Sequence, residues 1–410
     1  MQNFKRVKLA CYGTNVTMAI VSNLSPILFL TFHNKYDISY TLLGTLVLIN
    51  FVTQLSIDLI FSFFSHKFNI PLAVKITPIL SVIGLVLYAL APIIFPSTPY
   101  LGLVIGTVIF SASCGFAEVL ISPVIAAIPS DNPEREMSKL HSIYAWGVVG
   151  MIAVSTLFLA LFSDDNWQWL AALFAVAPIF ASVLFMGARL PKLETPEKVS
   201  GSAKMLKNRS MWLFVFAIFL GGAAECTMAQ WCSSYIEGAL GIPKVWGDLL
   251  GAACFAAMLG LGRTLYAKRG RNVEWVLLIG AIGATICYMT AALSPFAWLA
   301  LIACALTGLC VSMMWPGSLV VASEKFPNAG VFLYAMMAAG GDLGVSVGPQ
   351  LVGIISDSIP KISFFQDLSN KIGITAEQLG LRVAILVGML ISFIAIFVFL
   401  HIYIKRNKSL

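Results

Sequence analysis

Apolar residues run along this chain in long blocks, separated by short polar or turn-rich breaks. Twelve blocks are long enough to cross a bilayer, at approximately 7–32, 40–65, 72–94, 99–128, 138–162, 167–189, 209–236, 244–267, 273–293, 296–322, 331–357 and 381–404. A hydrocarbon core about 30 Å thick needs about 20 apolar residues per helix, so each block predicts one membrane-spanning helix. The strict alternation of a membrane β-barrel is absent.

The longest polar break, Arg189 to Arg209, divides the blocks six plus six. The pattern therefore predicts an all-α membrane protein of twelve transmembrane helices in two pseudo-symmetric six-helix bundles. The bundles cover 1–189 and 209–410 and are joined by a cytoplasmic linker at 190–208. Parallel repeats of this kind hold solute near the bilayer midplane where they meet. In the last external loop, from about Ser358 to Leu381, TAEQ (Thr375 to Gln378) has the form of a helix-starting capping box, which allows a short surface helix, although an ordered loop with no function is the preferred reading.

Composition agrees with this picture and removes other classes. Hydrophobic residues make up 59% of the chain, charged residues 11%, and the mean hydropathy is +0.89. A soluble globular protein lies far from these values. The formal charge of +7 could suggest a nucleic-acid partner, but its placement argues against one. All basic residues except Lys35, Lys244, Lys361, Lys371 and Arg382 fall on the side of the N-terminus, which puts both termini in the cytoplasm. The basic start, Lys5, Arg6 and Lys8, is followed by an apolar run too long for a signal peptide and by no A-x-A site, so the first segment reads as a retained helix. Eight cysteines lie inside the blocks without C-x-x-C or framework spacing and read as packing residues. With four histidines, no H-E-x-x-H, no G-x-S-x-G and no paired His/Cys spacing, the chain reads as neither an enzyme nor a metal or cofactor protein. The longest cytoplasmic loop, about twenty residues on this reading, is too short for the output domain of a sensor.

Charged and polar residues inside the blocks carry the candidate chemistry, because an ionisable group in a bilayer normally faces a bundle interior or a wet cavity. In the fourth block, Ser111, Gly115, Glu118 and Ser122 form one narrow stripe at helical spacing. In the seventh, GGAAECTMAQWCSSY places Glu225 on a face with Gly221, Ala229 and Cys232. At 1.5 Å per residue Glu225 lies about 24 Å from Arg209, and Glu118 about 15–18 Å from Pro129, so both sit at mid-depth. In the eleventh, GGDLGVSVGP pairs Asp342 with Ser346, while Gly341, Gly344 and Gly348 permit close helix approach. The second block carries Asn50, Gln54 and Asp58 four apart, a gating or structural face. In the first, Asn15 and Ser22 share a face with Asn23 beside it, and Pro26 frees backbone carbonyls. Trp146, Trp231 and Trp315 fall mid-helix as candidate stacking platforms, with Gln230 beside the second. Trp167, Trp169, Trp246 and Trp298 fall where an aromatic belt would sit, and His141 opens the fifth block.

Twelve helices divided six plus six by a basic loop resemble the major facilitator superfamily. Within it, GFAEVLISPVIAAIP, KLHSIYAWG, GGAAECTMAQW and SNLSPIL resemble the fucose-galactose-hexose symporters and their sodium-dependent glucose transporter-like relatives. The resemblance implies that Glu118 is a proton-titrating carboxylate, that Asn23 contacts sugar, and that Glu225 is the acid of a G-A-E signature. Two features depart from that family. Pro26 occupies the place of its first-helix aspartate, and the superfamily's loop 2–3 signature survives better in loop 8–9, as GRTLYAKRGRN with Arg263.

The expected function is cation-coupled symport of a sugar or similar small polar solute by alternating access. The coupling ion is a proton or sodium, carried by Glu118, Glu225 and Asp342. Solute contacts fall to Asn23, Ser22, Glu118, Ser122, His141, Trp146, Glu225, Gln230, Trp231 and Trp315, and gating or structural roles to Asp58, Gln54 and Arg263. The expected setting is a monomer among the lipids of a bacterial inner membrane. The alternative is an exporter of amphiphilic, drug-like compounds, which the abundant Phe and Met and the missing first-helix acid favour.

Overall fold

In the computed structural model, residues 4–64, 67–130, 133–191, 207–269, 272–326 and 330–407 are described. The first half comprises α1 (Lys5–Ile27), α2 (Phe29–Tyr36), α3 (Tyr40–Phe64), α4 (Ile70–Ile94), α5 (Pro99–Ala126), α6 (Pro133–Phe162), α7 (Trp167–Phe174) and α8 (Val176–Met186). The second comprises α9 (Arg209–Leu240), α10 (Lys244–Trp246), α11 (Cys254–Arg269), α12 (Val273–Leu293), α13 (Ala297–Val311), α14 (Met314–Lys325), α15 (Gly330–Ser358), α16 (Ser363–Ile372) and α17 (Ala376–Asn407). Among the described residues, ten helical stretches are long and apolar enough to span a membrane, and α1 with α2 forms an eleventh, bent by 45°. Helix α15, with 29 residues, is long enough to span as well, which fits the twelve expected from the sequence.

The breaks have local causes. The bend after α1 follows Pro26, which has no N–H to return to the preceding turn. Between α10 and α11, Gly247–Ala253 winds as a π-helix. The last transmembrane stretch starts earlier than its apolar run, because the TAEQ box closes as expected. The Thr375 N–H donates to Gln378 Oε1 and the Gln378 N–H to Thr375 Oγ1, each at 3.0 Å. The box opens α17 itself; the separate surface helix is α16, just before it.

The chain packs as two compact units, Met1–Thr31 with Ile49–Lys198, and Phe32–Leu48 with Val199–Leu410. In the first unit α4 and α5 approach on small residues: a Cβ on Gly84 would stand 2.6 Å from the Phe110 nitrogen, and one on Gly106 would stand 2.8 Å from Tyr88 Cβ. Buried hydroxyls fasten the pair, with Ser81 donating to Ser113 and Ser113 to the Thr77 carbonyl. In the second unit α9 packs along α15, where Gly344 and Gly348 meet the α9 backbone at Phe219 and Ala223. These are the glycines the sequence marked for close approach, and they let van der Waals contact act where lipid offers no hydrophobic gain.

The segment Phe32–Leu48 packs with the second unit because α15 caps it. Asp357 accepts the backbone N–H groups of Tyr40 (3.0 Å) and Thr41 (2.6 Å), while Ser39 Oγ accepts that of Leu42 at 3.3 Å. Glu377 accepts from the Tyr40 hydroxyl at 2.6 Å and pairs with His33, whose ring stacks on Tyr40.

Candidate solute and cation sites

The first unit holds a polar knot and an open carboxylate. Asn50 Oδ1 accepts from Ser111 Oγ at 2.6 Å and from Gln54 Nε2 at 3.1 Å, and all three residues are buried. Gln54 is thus committed to holding α3 against α5. Gly115, one turn further along α5, seats Ile57 and the Gln54 carbonyl. The same stripe then reaches Glu118, which is exposed, and Ser122, which is half-buried. On α1, Ser22 is buried, and Asn23 is half-buried with its amide turned to the Ala19 carbonyl at 2.9 Å. Asn15 ties α1 to α6 through the Leu140 carbonyl at 2.7 Å. Trp146 is 74% exposed. The side chains of Asp58 and His141, Pro327 and most of the linker lie outside the described residues.

The second unit brings together residues that stand far apart in sequence. Arg263 Nη2 donates to both oxygens of Glu225, at 3.1 and 3.0 Å, and its Nε donates to the Ser312 carbonyl at 3.1 Å. That carbonyl is available because Pro316, four residues on, has no N–H to offer it. The proline that separates α13 from α14 thereby creates the acceptor that fixes the guanidinium. The side chains remain open, 45% exposed for Arg263 and 19% for Glu225. The half-buried Trp315 lies against Gly222 and Gly341, where any Cβ would strike its ring. Asp342 follows Gly341 directly and acts electrostatically on Cys226 together with Glu225 and Arg263. A mid-membrane acid, a fixed cation and an aromatic face therefore share one neighbourhood.

Two candidates settle elsewhere. Trp231 is fully enclosed, donates its indole N–H to the Pro349 carbonyl at 2.9 Å and packs on Tyr40, leaving no ring face open to a solute in this structure. Gln230 is also buried, but its Oε1 has no hydrogen-bond partner among the described residues. Trp169, Trp246 and Trp298 are exposed as a belt requires, whereas Trp167 is enclosed and meets Tyr88 edge-on.

Sequence reasoning passed over Asp248. It is fully buried in the π-helical turn, accepts from Ser233 Oγ and lies 3.7 Å from Lys244, which also approaches Glu237 at 3.8 Å. Lys244 read as a loop charge, and only its spacing of four from Asp248 signalled the pair.

The family model of the Major Facilitator Superfamily matches residues 10–349. The chain belongs to this superfamily. It is an integral membrane protein with a transporter fold, and solved structures agree. A bacterial homologue of the human lysosomal transporter Spinster is 14% identical, with a TM-score of 0.74 over 100% of this chain and 98% of that one. A D-xylose–proton symporter is 16% identical, with 0.69 over 94% and 97%. The E. coli fucose:proton symporter is 13% identical, with 0.58 over 96% and 99%. At these identities the likeness is one of fold. No curated protein sequence matches the chain.

Proposed function

We propose that this superfamily member is a cation-coupled symporter of a sugar or similar small polyhydroxy solute, working by alternating access of its two six-helix bundles. The observation that carries the reading is the neighbourhood of Trp315, Glu225 and Arg263. An indole face suits the C–H face of a sugar ring, and a charged pair beside it supplies donors and acceptors for hydroxyls. Two of the solved structures with this fold are described as sugar–proton symporters, and this supports the choice of solute.

Coupling falls first to Glu118. An exposed carboxylate within a transmembrane helix normally faces a wet cavity, and such groups mark ion pathways. Coupling also requires that solute bind one protonation state better than the other, because equal affinity would shift nothing. We place the protein in a bacterial inner membrane with both termini in the cytoplasm, on the distribution of basic residues.

The test is solute uptake into proteoliposomes under separately imposed proton and sodium gradients, with Glu118→Gln in parallel. Gradient-dependent accumulation that the substitution abolishes supports the assignment and names the ion. Wild-type accumulation by the variant removes Glu118 from coupling. No uptake of any sugar, neutral or acidic, turns the reading toward an exporter.

A further inference from the structure

We infer that the transported solute is a sugar acid, a polyhydroxylated monocarboxylate whose carboxylate is received by Arg263 once Glu225 takes up a proton. This rests on the symporter reading above, narrows its solute class, and assigns the single proton loaded with that solute to Glu225 instead of Glu118.

The geometry of the guanidinium carries the argument. Arginine and carboxylate pair most strongly through two parallel N–H···O bonds from a planar fork. Glu225 does not use that fork, because both its oxygens sit on the single nitrogen Nη2. Arg263 Nη1 has no partner among the described residues, although the side chain is 45% exposed. The guanidinium also does not depend on Glu225 for its position, because Nε is held by the Ser312 carbonyl that Pro316 frees. When Glu225 is neutralised, Nη1 and Nη2 remain in place as a vacant fork on a side chain that is 45% exposed. A hydroxyl can accept from one of these donors, whereas a carboxylate can accept from both in one plane.

Charge explains why the proton must come with the anion. Glu225, Asp342 and Arg263 each act electrostatically on Cys226, and the Glu225–Arg263 pair is formally neutral while both groups are charged. An incoming carboxylate would meet a competitor already seated on Nη2. One proton on Glu225 removes the competitor and offsets the added charge, so the site carries the same net charge before and after loading. Proton and anion then move together as a neutral pair, and the indole of Trp315, three residues along the chain from the Ser312 carbonyl that holds the guanidinium, offers a face to the ring.

The experiment compares uptake of radiolabelled D-glucuronate and D-glucose into proteoliposomes holding the wild-type protein. The outside is acidic, and the membrane potential is clamped with valinomycin and potassium at zero or at inside-negative values. The expected result is saturable glucuronate accumulation, at least tenfold above glucose and unchanged by the clamped potential, with one proton taken up per glucuronate. Arg263→Lys keeps the charge and loses the fork, so the glucuronate concentration for half-maximal uptake should rise about tenfold or more. Because that variant could fail to fold, the potential dependence and proton stoichiometry of the wild type stand as independent readouts. Accumulation of glucose without glucuronate overturns the inference and leaves the symporter reading intact. Accumulation of neither overturns both. Glucuronate uptake that grows or falls with the clamped potential overturns the neutral-pair scheme.

Discussion

Replacing Asp357 tests how firmly α15 holds the start of α3. Its carboxylate accepts two N–H groups from the first turn of that helix, those of Tyr40 at 3.0 Å and Thr41 at 2.6 Å, across more than three hundred residues of chain. A hydrogen bond to a charged acceptor contributes about 1.5–3 kcal/mol, and this site is only half-buried, so the low end applies to each bond. The positive end of the helix dipole adds about 0.3–1 kcal/mol. Water reaches the freed donors and offsets part of the loss, leaving about 2–3 kcal/mol for Asp357→Ala, or a fall of about 2–4 °C in melting temperature for a chain this long. Asp357→Asn keeps one acceptor and loses the charge, and should fall about half as far. The assay is thermal melting in detergent followed by a thiol-reactive dye, which reports exposure of the buried Cys11, Cys114, Cys232 and Cys304. An Asp357→Ala protein that melts within a degree of wild type would refute the capping argument. An Asn variant as unstable as the Ala variant would show that charge, and not the pair of acceptors, holds the helix.

Other substitutions test packing and pH response. Gly84→Ala should destabilise by about 1–3 kcal/mol, because its Cβ would press on the Phe110 backbone, which cannot swing aside; an unchanged melting temperature would contradict the α4–α5 packing. Tyr88→Phe leaves Ser25 without its buried partner at 2.8 Å and should cost about 1 kcal/mol, read by the same melt. The Lys8 ammonium, and then Lys139, hold the Glu136 carboxyl below its ordinary range. The unfolded chain therefore binds the proton more readily. This contribution is complete above the ordinary Glu value near 4.3 and is lost as pH falls through the lowered folded value. Glu136→Gln should flatten the drop in melting temperature below about pH 4.5, and an identical acid limb in wild type and variant would remove Glu136 from the acid response.

Much of the architecture was legible because the bilayer makes local composition decisive. A backbone in hydrocarbon must satisfy its own hydrogen bonds, so twenty apolar residues imply a helix whatever their neighbours. The TAEQ box and the glycines of GGDLGVSVGP were readable for a similar reason, since capping and close approach are set within one or two turns. The mid-membrane carboxylates also stood out, because each interrupts a long apolar run.

What the sequence by itself determined, then, was the all-helical membrane character of the chain, the approximate places of its membrane helices and the short list of polar side chains within them. The tertiary structure decided how those side chains are used. Asn50 and Gln54 share a face with Asp58, but partners on another helix turn the first two into a packing knot. Trp231 and Trp315 look alike along the chain, yet one is sealed by Pro349 and Tyr40 while the other lies partly open on two glycines. The pairing of Glu225 with Arg263, and the role of Pro316 in holding that arginine, join three transmembrane stretches. Helical periodicity states which residues share a face; which face meets which depends on the packing of helices far apart in the chain, and no local pattern encodes that.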